Sequence, residues 1–337
     1  MKHAKKIIFT LALLGCSLFV IGQDYAFRVM ANKGANTLDG QNLMIGSKIT
    51  TGKITVAADG YLGLAHHTGK TIELKEAGTF EVSKLDKAVA DRGNDGAAAR
   101  YMNFVVEELT QKNDADAMAR RYRHMSKTGS AERALGDADK KIRLLIPAPY
   151  KSDDKENKNK NDKYLGNYAA VSWYINDALD VFDPGTASGS FHVVVMDLGE
   201  RELFRIASEG EVVLINLADE RLTGQNNFLY KVVDAKNPEI ASKEHVVHRA
   251  NKRAFAAEFE EFAQIPQENT ALAALIRAKF FEDKGLLSDA MAAYTQAVVL
   301  APQVQTYQTM RDAFLTRSKI TKEADQERSK AEESGKE

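Results

Sequence analysis

The sequence runs to 337 residues, 44% hydrophobic and 28% charged, with 46 basic against 47 acidic side chains and a formal net charge of −1. That length leaves room for two or three small domains, and a charge so near zero argues against a nucleic-acid or polyanion binder. Cys16 is the single cysteine, so no disulfide can form within this sequence and stability must come from packed cores.

Residues 1–6 carry Lys2, Lys5 and Lys6, and residues 7–22 are apolar apart from Thr10, Cys16 and Ser17. This is the plan of a secretory signal. The apolar run is shorter than the ~20 residues of a spanning helix. Cleavage after Val20-Ile21-Gly22 would start the mature chain near Gln23, with a retained signal anchor as the alternative. Leu13-Leu14-Gly15-Cys16 resembles the lipobox of bacterial lipoproteins, which makes Cys16 a candidate lipidation site. The plainer reading is a cysteine inside a signal's apolar stretch.

Residues 23–87 read as a small β-domain. Strands are expected at 53–56, 61–64, 71–74 and 79–82, separated by turn pairs such as Asp59-Gly60 and Thr68-Gly69. The order Gly46, Ile49, Gly52, Ile54-Thr55-Val56, Ala58-Asp59-Gly60-Tyr61-Leu62-Gly63-Leu64, Thr68-Gly69, Ile72-Glu73-Leu74, Gly78-Thr79-Phe80 resembles the periplasmic FecR domain over residues 27–85. The resemblance implies a compact β-fold. In that family a membrane helix joins this domain to a cytoplasmic regulator of a sigma factor. Six residues before the apolar run are too few for such a segment, so the fold is expected here without that role.

Residues 88–140 read as a helical connector. Tyr101, Phe104, Val105 and Leu109 recur at helical spacing over 97–109, and 115–125 reads as a second helix. Arg120-Arg121-Tyr122-Arg123-His124 reads as a solvated helix face, because acidic residues at 107, 108, 114 and 116 lie close by. Residues 126–139 read as a loop.

From Lys141 a second β-region runs to 249. A strand over 142–146 ends at Pro147, and the tract 151–163, without an apolar residue of weight, reads as an exposed mobile loop. Further strands are expected at 168–175, 190–196, 202–206, 211–217, 227–233 and 244–248, the pattern of an antiparallel sandwich. With Trp173 on an early strand, the region resembles fibronectin type III and other immunoglobulin-like domains.

Residues 250–318 read as helical, and 319–337 as a frayed or disordered tail. Phe255, Phe259 and Phe262 form one stripe; helices are expected over 270–283, 287–300 and 303–315. Ala278, Phe281, Gly285, Ala290, Tyr294, Ala297 and Pro302 resemble the tetratricopeptide repeat over residues 271–304. In that family small residues sit at the closest helix crossing, a glycine turns the chain, and a proline ends the second helix. Ala274 and Arg277 depart from its large aromatic and leucine. About three repeats are normally needed for a free array. One unit with a helix on either side therefore reads as a stub that packs on itself and on the sandwich, with a peptide groove as the alternative.

The histidines point away from a metal site: neighbours in a strand, such as His66 and His67, and residues three apart, such as His245 and His248, face opposite ways. Ser188, between Gly185 and Gly189, is not in a nucleophile elbow. Asp153-Asp154 lies among lysines, and no phosphate loop is present. The expected architecture is multidomain α+β: a FecR-like β-domain, an immunoglobulin-like sandwich and tetratricopeptide-like hairpins. The expected role is a non-enzymatic, cofactor-free exported envelope protein, periplasmic or outer-membrane associated. It would be a scaffold that binds a protein partner, touching membrane only through a lipid anchor or an uncleaved signal. The alternatives are a FecR-type sensor and a glycan-active hydrolase.

Overall fold

The computed structural model describes residues 25–90, 96–110, 141–147, 163–176 and 187–327. The expected signal with Cys16, the expected helix at 115–125 with its basic cluster, the expected loop at 126–139, Asp153-Asp154 and the tract up to 162 lie outside the described residues, as does the expected tail beyond 327. What is described is mixed α+β, with antiparallel sheets and several helices toward the C-terminus.

The first β-unit has two four-stranded sheets. One has the order β4 (Lys48–Ile49), β1 (Phe27–Lys33), β6 (Tyr61–His66), β7 (Thr71–Leu74); the other has β3 (Gln41–Asn42), β2 (Thr37–Leu38), β5 (Lys53–Val56), β8 (Gly78–Glu81). Phe27, Val29, Ile49, Ile54, Val56, Leu62 and Leu64 fill the space between them. At Gly52 the chain turns with φ +113°, and a Cβ there would lie 2.2 Å from Asp39 Oδ2. Only glycine permits that approach. Helix α1 (Val82–Ala90) follows β8 directly, and its Val82 and Val89 join the same core. The expected strand at 79–82 therefore ends one residue early, and the β-unit carries a helix past residue 87.

Strand β6 is buried along its whole length. Leu62 and Leu64 face inward, while Tyr61 and Ala65 face outward into a second core. A β-bulge in β1 between Val29 and Ala31 turns Met30 and Ala31 to that outer side together.

The second β-unit pairs a three-stranded sheet, β14 (Val212–Asn216), β11 (Tyr168–Ile175), β9 (Ile142–Leu144), with a five-stranded one. The latter has the order β10 (Lys163–Tyr164), β16 (His245–Arg249), β15 (Asn227–Asp234), β12 (Phe191–Met196), β13 (Glu202–Ser208). Trp173 and Phe191 meet edge to face at 5.6 Å across the core. Strand β10 was not legible as a strand; it is two residues long and runs parallel to β16. Because β9 and β10 flank the tract at 151–162 and both belong to this unit, a cut there falls inside the sandwich, not between domains.

The outer core is helical. Helix α2 (Gly96–Thr110), the short α3 (Ala256–Phe262), α4 (Ala271–Asp283), α5 (Leu287–Leu300) and α6 (Gln305–Arg317) contribute most of it. Every residue of α4 from 271 to 282 is buried. Gly285, at φ +70°, ends α4 with Leu286 N–H donating to Phe281 O at 2.9 Å, a Schellman closure. Tyr101, Met102, Val105 and Val106 of α2 lie in this core, so the expected connector is part of the helical unit.

Candidate functional site

The helical unit meets both β-units, and polar groups mark each junction. Toward the first, the Tyr61 and Tyr307 hydroxyls share a hydrogen bond of 2.7 Å. The N-terminus of α4 is capped from two sides: Thr270 Oγ1 accepts from Ala273 N–H at 3.2 Å, and Glu73 Oε1 of β7 accepts from Leu272 N–H at 2.7 Å. A carboxylate is favoured there by the helix dipole. Toward the second, Asp289 in the first turn of α5 turns away from its own helix. Its two oxygens accept from Leu165 N–H (2.8 Å) and Gly166 N–H (2.9 Å). Burial pushes the Asp289 carboxyl up to about 7, and those two N–H groups offset only part of the rise. Further on, Asp325 Oδ2 accepts from Arg143 Nε at 2.9 Å and from Tyr174 Oη at 3.0 Å.

Inside the helical unit lies a buried ionic cluster. Arg317 forks onto Glu282, with Nε to Oε1 at 2.9 Å and Nη2 to Oε2 at 3.0 Å, while Nη1 reaches Glu108 of α2 at 2.6 Å. Tyr294 Oη donates to Glu282 Oε2 at 2.7 Å. Burial works against the Arg317 charge, but Glu282 and Glu108 outweigh it and hold the guanidinium above its ordinary pKa.

Between the second β-unit and the helices lies a cavity of about 220 Å3. Asn167, Tyr168 and Asn216 line one side; Phe262, Gln267, Asn269, Arg277, Phe281, Asp289 and Gln296 line the other. Arg277 Nη1 donates to Pro266 O at 2.7 Å and Nη2 to Gln296 Oε1 at 3.2 Å. Gln296 Nε2 donates in turn to Asn269 Oδ1 at 3.0 Å. Burial lowers the Arg277 guanidinium to about 10. Asp289 is the one carboxylate among the lining residues, and both its oxygens are engaged by backbone. The lining can offer planar amide groups and aromatic faces, the equipment for holding an uncharged polar ligand. It does not offer the two facing carboxylates of a glycosidase.

Of the residues singled out by sequence, Ala278, Phe281, Ala290, Tyr294 and Ala297 come together in the α4–α5 core. Tyr294 stacks on Phe314 of α6 at 4.9 Å. Gly285 turns the chain between the helices, and Pro302 lies exposed in the turn after α5. Ser188 Oγ donates to Ser190 O at 3.1 Å, a loop-closing role. His248 Nδ1 bonds Asn227 Oδ1 at 2.8 Å, and the His245 ring lies 5.3 Å from Tyr230.

The reading of His66 and His67 needs correction. His66 is the last residue of β6 and His67 sits in the turn beyond it, so strand alternation does not separate them. Their rings lie 4.1 Å apart, and one donor atom each from His66, His67 and Asp86 of α1 lie within 4.8 Å of one another. His66 Nδ1 bonds Thr68 Oγ1 and Nε2 bonds Asp86 Oδ1, both at 2.7 Å. Burial lowers the His66 pKa against the opposing pull of Asp86. Asp289, Asp325, Arg143 and Asp86 carried no signal in the sequence: each reads as an ordinary surface charge until its distant partner is known. Comparison with protein-family models, curated proteins and solved structures finds no match to this chain.

Proposed function

We propose that the chain is a non-enzymatic exported protein of the bacterial envelope, a scaffold that presents two β-units to a protein partner. Its first unit is read as FecR-like, its second as immunoglobulin-like, and its α4–α5 hairpin as a tetratricopeptide-type unit. The observation that carries the reading is the burial of α4 from 271 to 282 between the other elements. A helical repeat used this way holds two β-units in fixed relation; its faces are spent inside the molecule, not on a peptide groove. Docking then falls to the outside, where Leu198 and Val299 are exposed apolar side chains at 59% and 58%. Fractionation of a bacterium producing the full chain is expected to place it in the envelope with an N-terminus near Gln23. A cytoplasmic product that keeps Met1 overturns export. Cross-linking in cells from positions 198 and 299 is expected to give a discrete adduct with one envelope protein; a chain that stays monomeric at both positions overturns docking there.

A second reading is a FecR-type sensor of a small polar ligand; the cavity between the second β-unit and the helices would hold it, although no residue of the FecR-like unit lines that cavity. Saturation-transfer NMR with neutral saccharides separates the two, since a pure scaffold gives no transfer to any of them.

A further inference from the structure

We propose that His66, His67 and Asp86 form a binding site for a divalent transition-metal ion that ties α1 to the turn between β6 and β7. Three separate pieces of backbone deliver the three side chains: a strand end, a turn and a helix. Their donor atoms already lie within 4.8 Å of one another. Ligands at the usual ~2.0–2.2 Å from a tetrahedral zinc ion are about 3.4 Å apart. Closing the set therefore takes an inward shift of at most about 1.4 Å, with His66 and Asp86 opening slightly from 2.7 Å. Asp86 has room to make that shift, because its side chain is 41% exposed even while it bonds His66. Two imidazoles in a set of three select zinc, nickel, cobalt or copper over magnesium and calcium, which prefer oxygen. Water from the exposed Asp86 side completes the tetrahedron.

Thr68 supplies the outer support that metal-bound histidines ordinarily have. Without metal, His66 Nε2–H donates to Asp86 and Nδ1 accepts from the Thr68 hydroxyl. With metal on Nε2, the proton moves to Nδ1 and the same hydroxyl accepts it at 2.7 Å. The hydroxyl serves both tautomers, while the Thr68 N–H, which donates to Nδ1 at 3.3 Å without metal, gives up that bond when the proton moves. The charge of Lys70, which reaches His66, opposes a cation, and the Asp86 carboxylate offsets it.

The test uses the untagged chain from Gln23 onward, stripped with chelator and titrated calorimetrically with Zn(II), Ni(II) and Co(II). Thermal unfolding and the visible spectrum of the cobalt form are followed alongside. One ion per chain, a higher melting temperature and tetrahedral cobalt bands are expected. Asp86→Asn keeps a hydrogen-bond acceptor for His66 but removes the charged ligand, and is expected to weaken binding at least about tenfold; Thr68→Val should weaken it roughly 10–100-fold. His67→Ala should do at least as much, and if it fails to fold, Asp86→Asn at the half-exposed Asp86 decides. His192→Ala and His248→Ala should bind as the parent does. Failure of all three ions to bind, or binding undiminished by both Asp86→Asn and His67→Ala, overturns the proposal.

Discussion

Asp289 is the residue whose chemistry departs furthest from what its surroundings in sequence imply. A free aspartate titrates near 3.9, whereas burial raises this one to about 7. An acid whose folded pKa is raised contributes stability that is full below its unfolded pKa and is lost as pH rises through the folded one. Between about pH 4 and pH 7 the Asp289 contribution therefore declines. Asp289→Asn cannot titrate, and its amide places an N–H₂ against one of two backbone donors. The variant is expected to be less stable than the parent at pH 4, with the gap narrowing as pH rises to 8. Thermal unfolding at intervals across that range checks it, and a gap that is constant or widens with pH contradicts it. Arg317 makes the complementary case. Arg317→Leu takes away the guanidinium that Glu282 and Glu108 share and leaves Glu282 with Lys279 at 3.5 Å, and loss of one partner of such a cluster costs roughly 3–5 kcal/mol. Arg317→Lys keeps the charge but loses the fork onto Glu282, so it should recover only part of that in denaturant titration.

At the level of the element, the α4–α5 hairpin gives two graded expectations. Gly285→Ala meets no atom within 4 Å of the added Cβ, so its cost is backbone alone at φ +70°, roughly 1–2 kcal/mol. Tyr294→Ala removes a buried ring that stacks on Phe314 and one hydrogen bond to Glu282, so it should cost roughly 3–5 kcal/mol. Chemical denaturation of the whole chain measures both, and equal effects at the two positions would contradict the assignment of turn and core. Gly285, Thr270 and the apolar period of α5 were legible because helix ends and faces are set within a few residues of sequence. In the second β-unit every strand but β10 was legible for the same reason; in the first, β5 to β8 were legible and β1 to β4 were not. Helix α1 was not, since Val82 continues the alternation of β8 and nothing local marks the change. The outward face of β6 was hidden too: nothing local to Tyr61, Gly63 and Ala65 says what covers them, and only the arrival of α4 and α6 shows why Gly63 stands there, where a Cβ would meet Tyr307 and Leu272. The His66 site stayed hidden because a one-residue difference in where β6 ends decides whether two adjacent rings diverge or meet.

For the whole molecule, the outer core is shared property. Met30, Ala31 and Tyr61 from the first β-unit, Leu165 and Ala170 from the second, and α2 with α4–α6 all enter it. Units joined through one core should unfold together, so calorimetry of the chain from Gln23 onward is expected to give a single cooperative transition. Tyr307→Ala should split it by freeing the first β-unit, and two transitions in the parent chain would show that the junctions are weaker than their burial implies. A protease directed by composition to the tract at 151–162 should give two bands on a denaturing gel but one species on a sizing column, because β9 and β11 pair across the cut.

The hydroxyl pair Tyr61–Tyr307 closes a loop of 246 residues. On the ribosome, at about 5–20 residues per second, the outward side of β6 must wait roughly 12–50 s for its cover. During that interval a newly made first β-unit displays Met30, Ala31, Tyr61 and Ala65 to the cell. A holdase chaperone would recognise that surface, and a chain stalled before residue 307 should be the species it retains.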